Sequence, residues 1–219
     1  MVVRWRLRYC LSLRNLCEMM SERGFYFTHE TVRLWEQRYA PLITEYLRNR
    51  RRGRMGTSWY VDETYIKVKG QWCYLYRAID REGRLIDCRL SEHRDMNAAK
   101  VFFQEALEIA VECPDRVTTD KESSYPRAIR EELGGAVLHR TNRYLNNLIE
   151  QDHRGIKQRY GPMKGFVSFK SAALFCKAHG ELRSYYKTHQ SGEKTSLRDQ
   201  RIDYKIKTQK LMNDLMGAA

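Results

Sequence analysis

The sequence predicts an α/β protein, a mixed β-sheet flanked by helices and preceded by a small all-helical unit. Three observations point there. The first fifty residues carry apolar side chains at helical spacing. Ser58 to Glu92 hold three runs rich in Trp, Tyr, Val and Ile. Beyond them, helical and strand patterns alternate. The 219 residues suffice for one sizeable core and a small appendage.

In SLRNLCEMMSERG, Ser12 is placed to cap a helix whose apolar stripe is Leu13, Leu16, Cys17 and Met20, and Gly24 stops it. Thr28 is placed to cap a second helix, HETVRLWEQRY, with Val32, Trp35 and Tyr39 inward and an end at Ala40-Pro41. Arg33, Gln37 and Arg38 are left facing outward. Two short helices about a Gly-containing turn suit a helix-turn-helix, and any small helical hairpin shares the pattern. RNRRRGR, Arg48 to Arg54, reads as a basic linker, either solvated or laid on a phosphate backbone through Arg50, Arg51 and Arg52.

SWYVDETYIKV, QWCYLYRAID and GRLIDCRLSE read as three strands separated by turns at Lys69-Gly70 and Glu82-Gly83. A helix follows from Asn97 to about Val111, then a strand RVTTD, a helix YPRAIREEL and a strand AVLHRT. Residues 146–187 read as mainly helical with a break at Gly161-Pro162, and a weak helix spans Leu197–Met216. The implied boundaries are 1–47 for the helical unit, 48–57 for the linker, 58–187 for the α/β core and 188–219 for a polar tail.

Forty Lys and Arg against 27 Asp and Glu leave a formal charge of +13, which suggests a polyanionic partner. No run approaches a membrane span, and neither an amphipathic terminal anchor nor a lipidation signal is present, so DNA or RNA stands ahead of a membrane. The six cysteines contain no CxxC pair, which leaves little for a zinc module and suggests reduced thiols in a cytosol.

Aspartate is depleted in strands, yet Asp62 sits mid-strand on the face of Tyr60, Thr64, Ile66 and Val68. Either a hydrogen-bonded strand residue or a metal ligand fits. Asp120 ends the strand RVTTD, where open α/β sheets place ligand sites and where turn residues also fall. In NNLIEQDHRGIKQRY, Glu150, His153, Arg154 and Lys157 recur at i, i+3, i+4 and i+7 and so share a helix face, whether solvated or functional. Three carboxylates on three elements suffice for Mg2+, a hard ion that keeps several waters, and two such ions serve in-line displacement at phosphorus. Among other acids, Glu63 points to the opposite strand face from Asp62. Glu122 and Asp152 lie near enough to support the site. Trp59, Trp72, Tyr74 and Tyr76 read as sheet packing before base-stacking.

YVDETYIKVKG, DKESSYPRAI and YLNNLIEQDHRGIKQRYGPMKGFVSF, preceded by SLRNLCEMMSERG and TVRLWEQRYAP, resemble the DDE transposases of bacterial insertion sequences. Their catalytic core has the RNase H-like fold of retroviral integrases. The resemblance runs from Arg4 to Lys187. It implies that Asp62, Asp120 and Glu150 are the catalytic triad holding two Mg2+ ions, with Mn2+ as a substitute. It further implies that Lys157, aided by Arg154 and His153, contacts the transposon end, and that the helix-turn-helix finds the terminal inverted repeat through Arg33, Gln37 and Arg38. The implied partners are double-stranded DNA, both ends and target, and further copies of the chain in a homodimer or larger synaptic complex, in the bacterial cytoplasm. Two departures are visible: the Asp120–Glu150 interval is shorter than usual, and the chain begins almost inside its first helix. A helix-turn-helix regulator without catalysis, and a nuclease that cuts without joining, are the alternative readings.

Overall fold

The computed structural model describes residues 1–120, 122–141, 147–161, 163, 165–187 and 196–217. Five strands, β1 (Ser58–Val68), β2 (Gln71–Asp80), β3 (Leu85–Ser91), β4 (Arg116–Thr119) and β5 (Leu138–Thr141), form one sheet in the order β3-β2-β1-β4-β5. The β1–β2 and β2–β3 pairs are antiparallel, as short turns require; β1–β4 and β4–β5 are parallel, as the intervening helices require. Lys69 (φ 48°) and Gly70 (φ 82°) both take the left-handed conformation that closes the β1–β2 hairpin. This is the mixed sheet flanked by helices that the pattern predicted.

On one face lie α4 (Met96–Ala110) and α5 (Ser124–Glu132), which bury Trp59, Val61, Tyr76 and Ile86 against Phe102, Phe103 and Tyr125. The other face is covered by α6 (Asn147–Tyr160) and α7 (Phe169–Tyr186), with Ile66, Leu75, Cys88 and Leu90 against Ile156, Phe175 and Leu182. The expected break at Gly161-Pro162 falls where α6 gives way to the loop before α7, although Pro162 lies outside the described residues.

The N-terminal region is helical: α1 (Val2–Arg8), α2 (Leu13–Ser21) and α3 (His29–Arg51). Ser12 caps α2 in a capping box, its Oγ accepting from the Asn15 N–H (3.0 Å) while Asn15 Oδ1 accepts from the Ser12 N–H (2.9 Å). Leu16, Met20, Val32 and Val2 close a small satellite core with Trp5, Phe27 and Trp35. The tail forms α8 (Leu197–Gly217), tied back where the Arg4 guanidinium donates to Tyr204 Oη at 2.6 Å and where Leu211 is buried.

The expected end at Ala40-Pro41 is corrected: α3 continues through Pro41 to Arg51. An internal proline costs roughly 3 kcal/mol. Past it, Ile43 and Leu47 enter the main core beside Val3 and Leu7, and each such side chain is worth about 1.5–3 kcal/mol when buried. Burial wins, and the first four residues of the expected linker, Arg48 to Arg51, are helix. Two of its basic residues are taken up by the fold: Arg51 chelates Glu181 through Nε and Nη2, both at 2.6 Å, and donates to the Leu85 and Ile86 carbonyls, while Arg48 pairs with buried Asp87 at 2.6 Å.

Candidate active site

The parallel register sets the site. Ser58 lies opposite Arg116 and Tyr60 opposite Thr118, so two residues further on Asp120 comes abreast of Asp62. β4 ends at Thr119, and past that point β1 keeps its partner β2 but has no strand on the β4 side among the described residues. Asp62, Glu63 and Asp120 gather there, each offering a carboxylate oxygen within 4.8 Å of the others.

Glu63 points to the opposite face of β1 from Asp62, toward Tyr125 of α5, as alternation predicts, yet one of its carboxylate oxygens still reaches the gap beside Asp62 and Asp120. Its carboxylate is held by the buried Tyr125 hydroxyl and by Arg94, whose Nε donates at 2.5 Å and whose guanidinium also pairs with Glu122 at 2.8 Å. Glu122 donates its backbone N–H to Asp120 Oδ1 at 3.0 Å. Arg94 and Tyr125 were not legible as site residues; the adjacent acids of Asp62-Glu63 were the available signal.

The α6 face divides. Glu150, Arg154 and Lys157 are exposed, whereas His153 turns inward with Asp152, Ile149 and Ile156. Three residues advance about 300°, so His153 falls on the border of the stripe and burial decides its side. His153 Nδ1 stands 3.7 Å from Asp62 Oδ2, too long for a hydrogen bond, and its Nε2 has no partner among the described residues. Burial, helped by the nearby Arg77 charge, pushes the imidazole down to about 3, so it is neutral.

Asp152 is buried between two guanidinium groups, Arg77 of β2 and Arg183 of α7. Arg77 is the register partner of Asp62, so this triple contact fixes α6 over the strand that carries the first acid. The helix glycines make room: a Cβ on Gly155 would fall 2.5 Å from the Arg183 guanidinium carbon, and one on Gly180 would fall 2.9 Å from an Arg77 nitrogen.

The Asp62 carboxyl is pushed up to about 7, by burial first and then by Glu63, Asp120 and Glu150. Glu150 thus acts on Asp62, although it is outside the tight group of three. Arg94 compensates Glu63, while Asp62 and Asp120 are crowded hard-oxygen donors that a divalent metal ion fits. Of the residues expected to meet DNA, Arg33 pairs with Glu30 at 2.7 Å on the surface, and Gln37, Arg38 and Arg52 are exposed. Arg50 donates to Tyr46 Oη at 3.1 Å and lies over the Tyr185 ring. Arg51 is paired with Glu181.

A mixed sheet with carboxylates crowded at the ends of its central strands defines a metal-dependent phosphoryl-transfer enzyme. A family model described as a DDE domain matches residues 56–189. The transposase for insertion sequence-like element IS431mec of Staphylococcus aureus is 42% identical over 161 residues, 72% of this chain and 71% of that protein. The transposase for insertion sequence element IS257 in transposon Tn4003, also of Staphylococcus aureus, is 41% identical over the same shares. Among solved structures, the HTLV-2 integrase catalytic core domain in complex with magnesium, in its dimeric form, is similar at a TM-score of 0.47 and 18% identity, over 65% of this chain and 95% of that one. The chain belongs to the DDE transposases of bacterial insertion sequences.

Proposed function

We propose that this transposase cleaves DNA at the ends of an insertion sequence and joins the freed ends to a target, with Asp62, Asp120 and Glu150 as its catalytic acids. The convergence of Asp62 and Asp120 at the open edge of β1 carries the reading. Two divalent ions, Mg2+ or Mn2+, would activate the attacking hydroxyl and stabilise the leaving oxygen of an in-line displacement. Asp62 and Asp120 offer hard oxygens from a rigid sheet. Glu150 offers a third from α6, which Asp152 holds in place. Glu63 is committed to Tyr125 and Arg94, and we assign it to shaping the site beside the ions. Arg154 and Lys157, exposed one and two turns beyond Glu150, orient the phosphate backbone.

In the same reading, α2 and the first half of α3 act as a helix-turn-helix, presenting Arg33, Gln37 and Arg38 to the terminal inverted repeat. Bringing two ends together calls for a homodimer or larger synaptic complex. The test uses Asp62→Ala on duplexes carrying the element's ends. Loss of Mg2+-dependent cleavage with DNA binding retained supports the reading; unchanged cleavage overturns it. Pre-cut ends with a free 3′-hydroxyl then separate joining from cutting alone: joined product supports a transposase, and its absence with cleavage intact indicates a nuclease.

A further inference from the structure

The α4–α5 layer stops short of the β1–β2 hairpin. Tyr76, opposite Glu63, is covered by Phe102 at 5.8 Å between ring centroids. The next two register pairs, Tyr65 with Tyr74 and Lys67 with Trp72, are covered only in part: Tyr74 packs against the edge of that layer, while Trp72 is 57% and Tyr65 48% exposed. These side chains form one surface. Tyr65 meets Trp72 edge-on at 6.1 Å and Tyr74 at 5.3 Å, and the Lys67 ammonium sits 5.4 Å from the Trp72 ring. Aromatic surface of this size left open on a sheet marks a binding site more often than a packing accident.

Two further observations identify its occupant. First, the patch lies on the Glu63 face of β1 and reaches the acidic cluster through a single guanidinium, since Arg94 donates to Glu63 at 2.5 Å and to Tyr65 Oη at 3.3 Å. Second, it is flanked by cations, Lys67 and Arg94, in a chain of charge +13, which favours a polyanion with flat apolar faces. The hairpin is also anchored: the Lys69 N–H donates to the Phe166 carbonyl at 2.9 Å, tying its tip to the segment before α7.

We propose that Tyr65, Trp72 and Tyr74 form a stacking platform for unpaired DNA bases near the acidic cluster, with Lys67 on the adjoining phosphate. This rests on the transposase reading, because cleavage at a DNA end is what frees bases there. A base that has left its duplex stack regains a partner on the platform, which draws the frayed end toward the acidic cluster.

The test is equilibrium binding in EDTA, so that no strand is cut, of the full chain to two fluorescent duplexes of one arbitrary sequence. One is blunt and one carries a short 3′ single-stranded tail. The expectation is tighter binding of the tailed duplex, about tenfold lost on Trp72→Ala and recovered in Trp72→Phe, with blunt-duplex binding unchanged. Melting temperatures of the variants establish that they fold. Equal binding of both duplexes by the wild type, or a Trp72→Ala loss shared equally between them, overturns the platform while leaving DNA binding intact. Binding of neither duplex overturns both this inference and the transposase reading. Conversion of a wild-type dimer to a monomer by Trp72→Ala, with tail preference kept, assigns the surface to a second copy and also overturns it.

Discussion

At the scale of single residues, Asp62 ties chemistry to stability. Its carboxyl is raised from 3.8 to about 7 in the fold, so the unfolded chain releases this proton more readily than the native one. Stability from this group is therefore present at low pH and falls as pH rises from about 4 to about 7. Asp62→Asn removes the repulsion with Glu63 and Asp120. In EDTA at pH 7.5 the variant is expected to melt above the wild type, and on adding Mg2+ the wild type is expected to rise while the variant does not. Differential scanning fluorimetry checks both signs. A wild type indifferent to Mg2+ would contradict the metal assignment.

His179 runs the other way. Its Nδ1 lies 2.9 Å from the Leu7 carbonyl, which makes Nδ1 the protonated donor, and its ring stacks on Phe175. Burial pushes it down to about 3. A histidine held neutral contributes stability that is whole above about 6.5 and is lost as pH falls toward 3. At pH 5 that loss is about 2 kcal/mol. Replacing His179 with Asn, which keeps a donor toward Leu7, is expected to flatten the fall in urea-midpoint between pH 7 and 5. An unaltered slope would mean the imidazole is not buried neutral.

At the scale of elements, α6 and α3 differ in what the sequence disclosed. The helical spacing of Glu150 and Lys157 was plain, and so was the alternation of β1. The partner that seats α6 was not, because a helix full of polar residues gives no sign of which one turns inward. Asp152 does, and only the fold supplies Arg77 and Arg183. Asp152→Ala strands the buried Arg77 guanidinium and the half-buried one of Arg183, and is expected to cost about 3–5 kcal/mol. Gly155→Ala, which pushes against Arg183, should cost less and lower strand cleavage with DNA affinity kept. Cleavage unaffected by either change would show that α6 needs no such anchor.

Pro41 misled for a related reason. Local chemistry marks it as a stop, and nothing nearby in sequence reveals that Ile43 and Leu47 will meet Phe175 and Leu182 in one core. Because α3 is continuous, Pro41→Ala should restore a helix bond on an exposed position and raise the unfolding free energy by about 1–3 kcal/mol. A helix that ended at Ala40 would leave the substitution nearly neutral in the same urea titration.

At the scale of the whole molecule, a charge of +13 conceals two populations of cations. Arg48, Arg51, Arg77 and Arg183 are occupied by Asp87, Glu181 and Asp152 inside the fold. Arg154, Lys157 and Arg38 stand in solvent. Composition counts them alike, and burial separates them. DNA affinity should fall linearly in the logarithm of salt concentration, with a slope set by phosphates neutralised rather than by total charge. Arg154→Ala and Lys157→Ala are each expected to reduce that slope by about one while leaving the melting temperature unchanged. Arg51→Ala is expected to do the reverse: it leaves Glu181 buried against only the more distant Arg48 contact at 3.9 Å, losing about 3–5 kcal/mol of stability, with the salt slope of the folded fraction intact. Filter binding from 50 to 200 mM salt, beside thermal melts of the same samples, separates the two outcomes. A reduced slope in Arg51→Ala at full stability would place that guanidinium on DNA and reopen the Arg48–Arg54 run as a phosphate-binding segment.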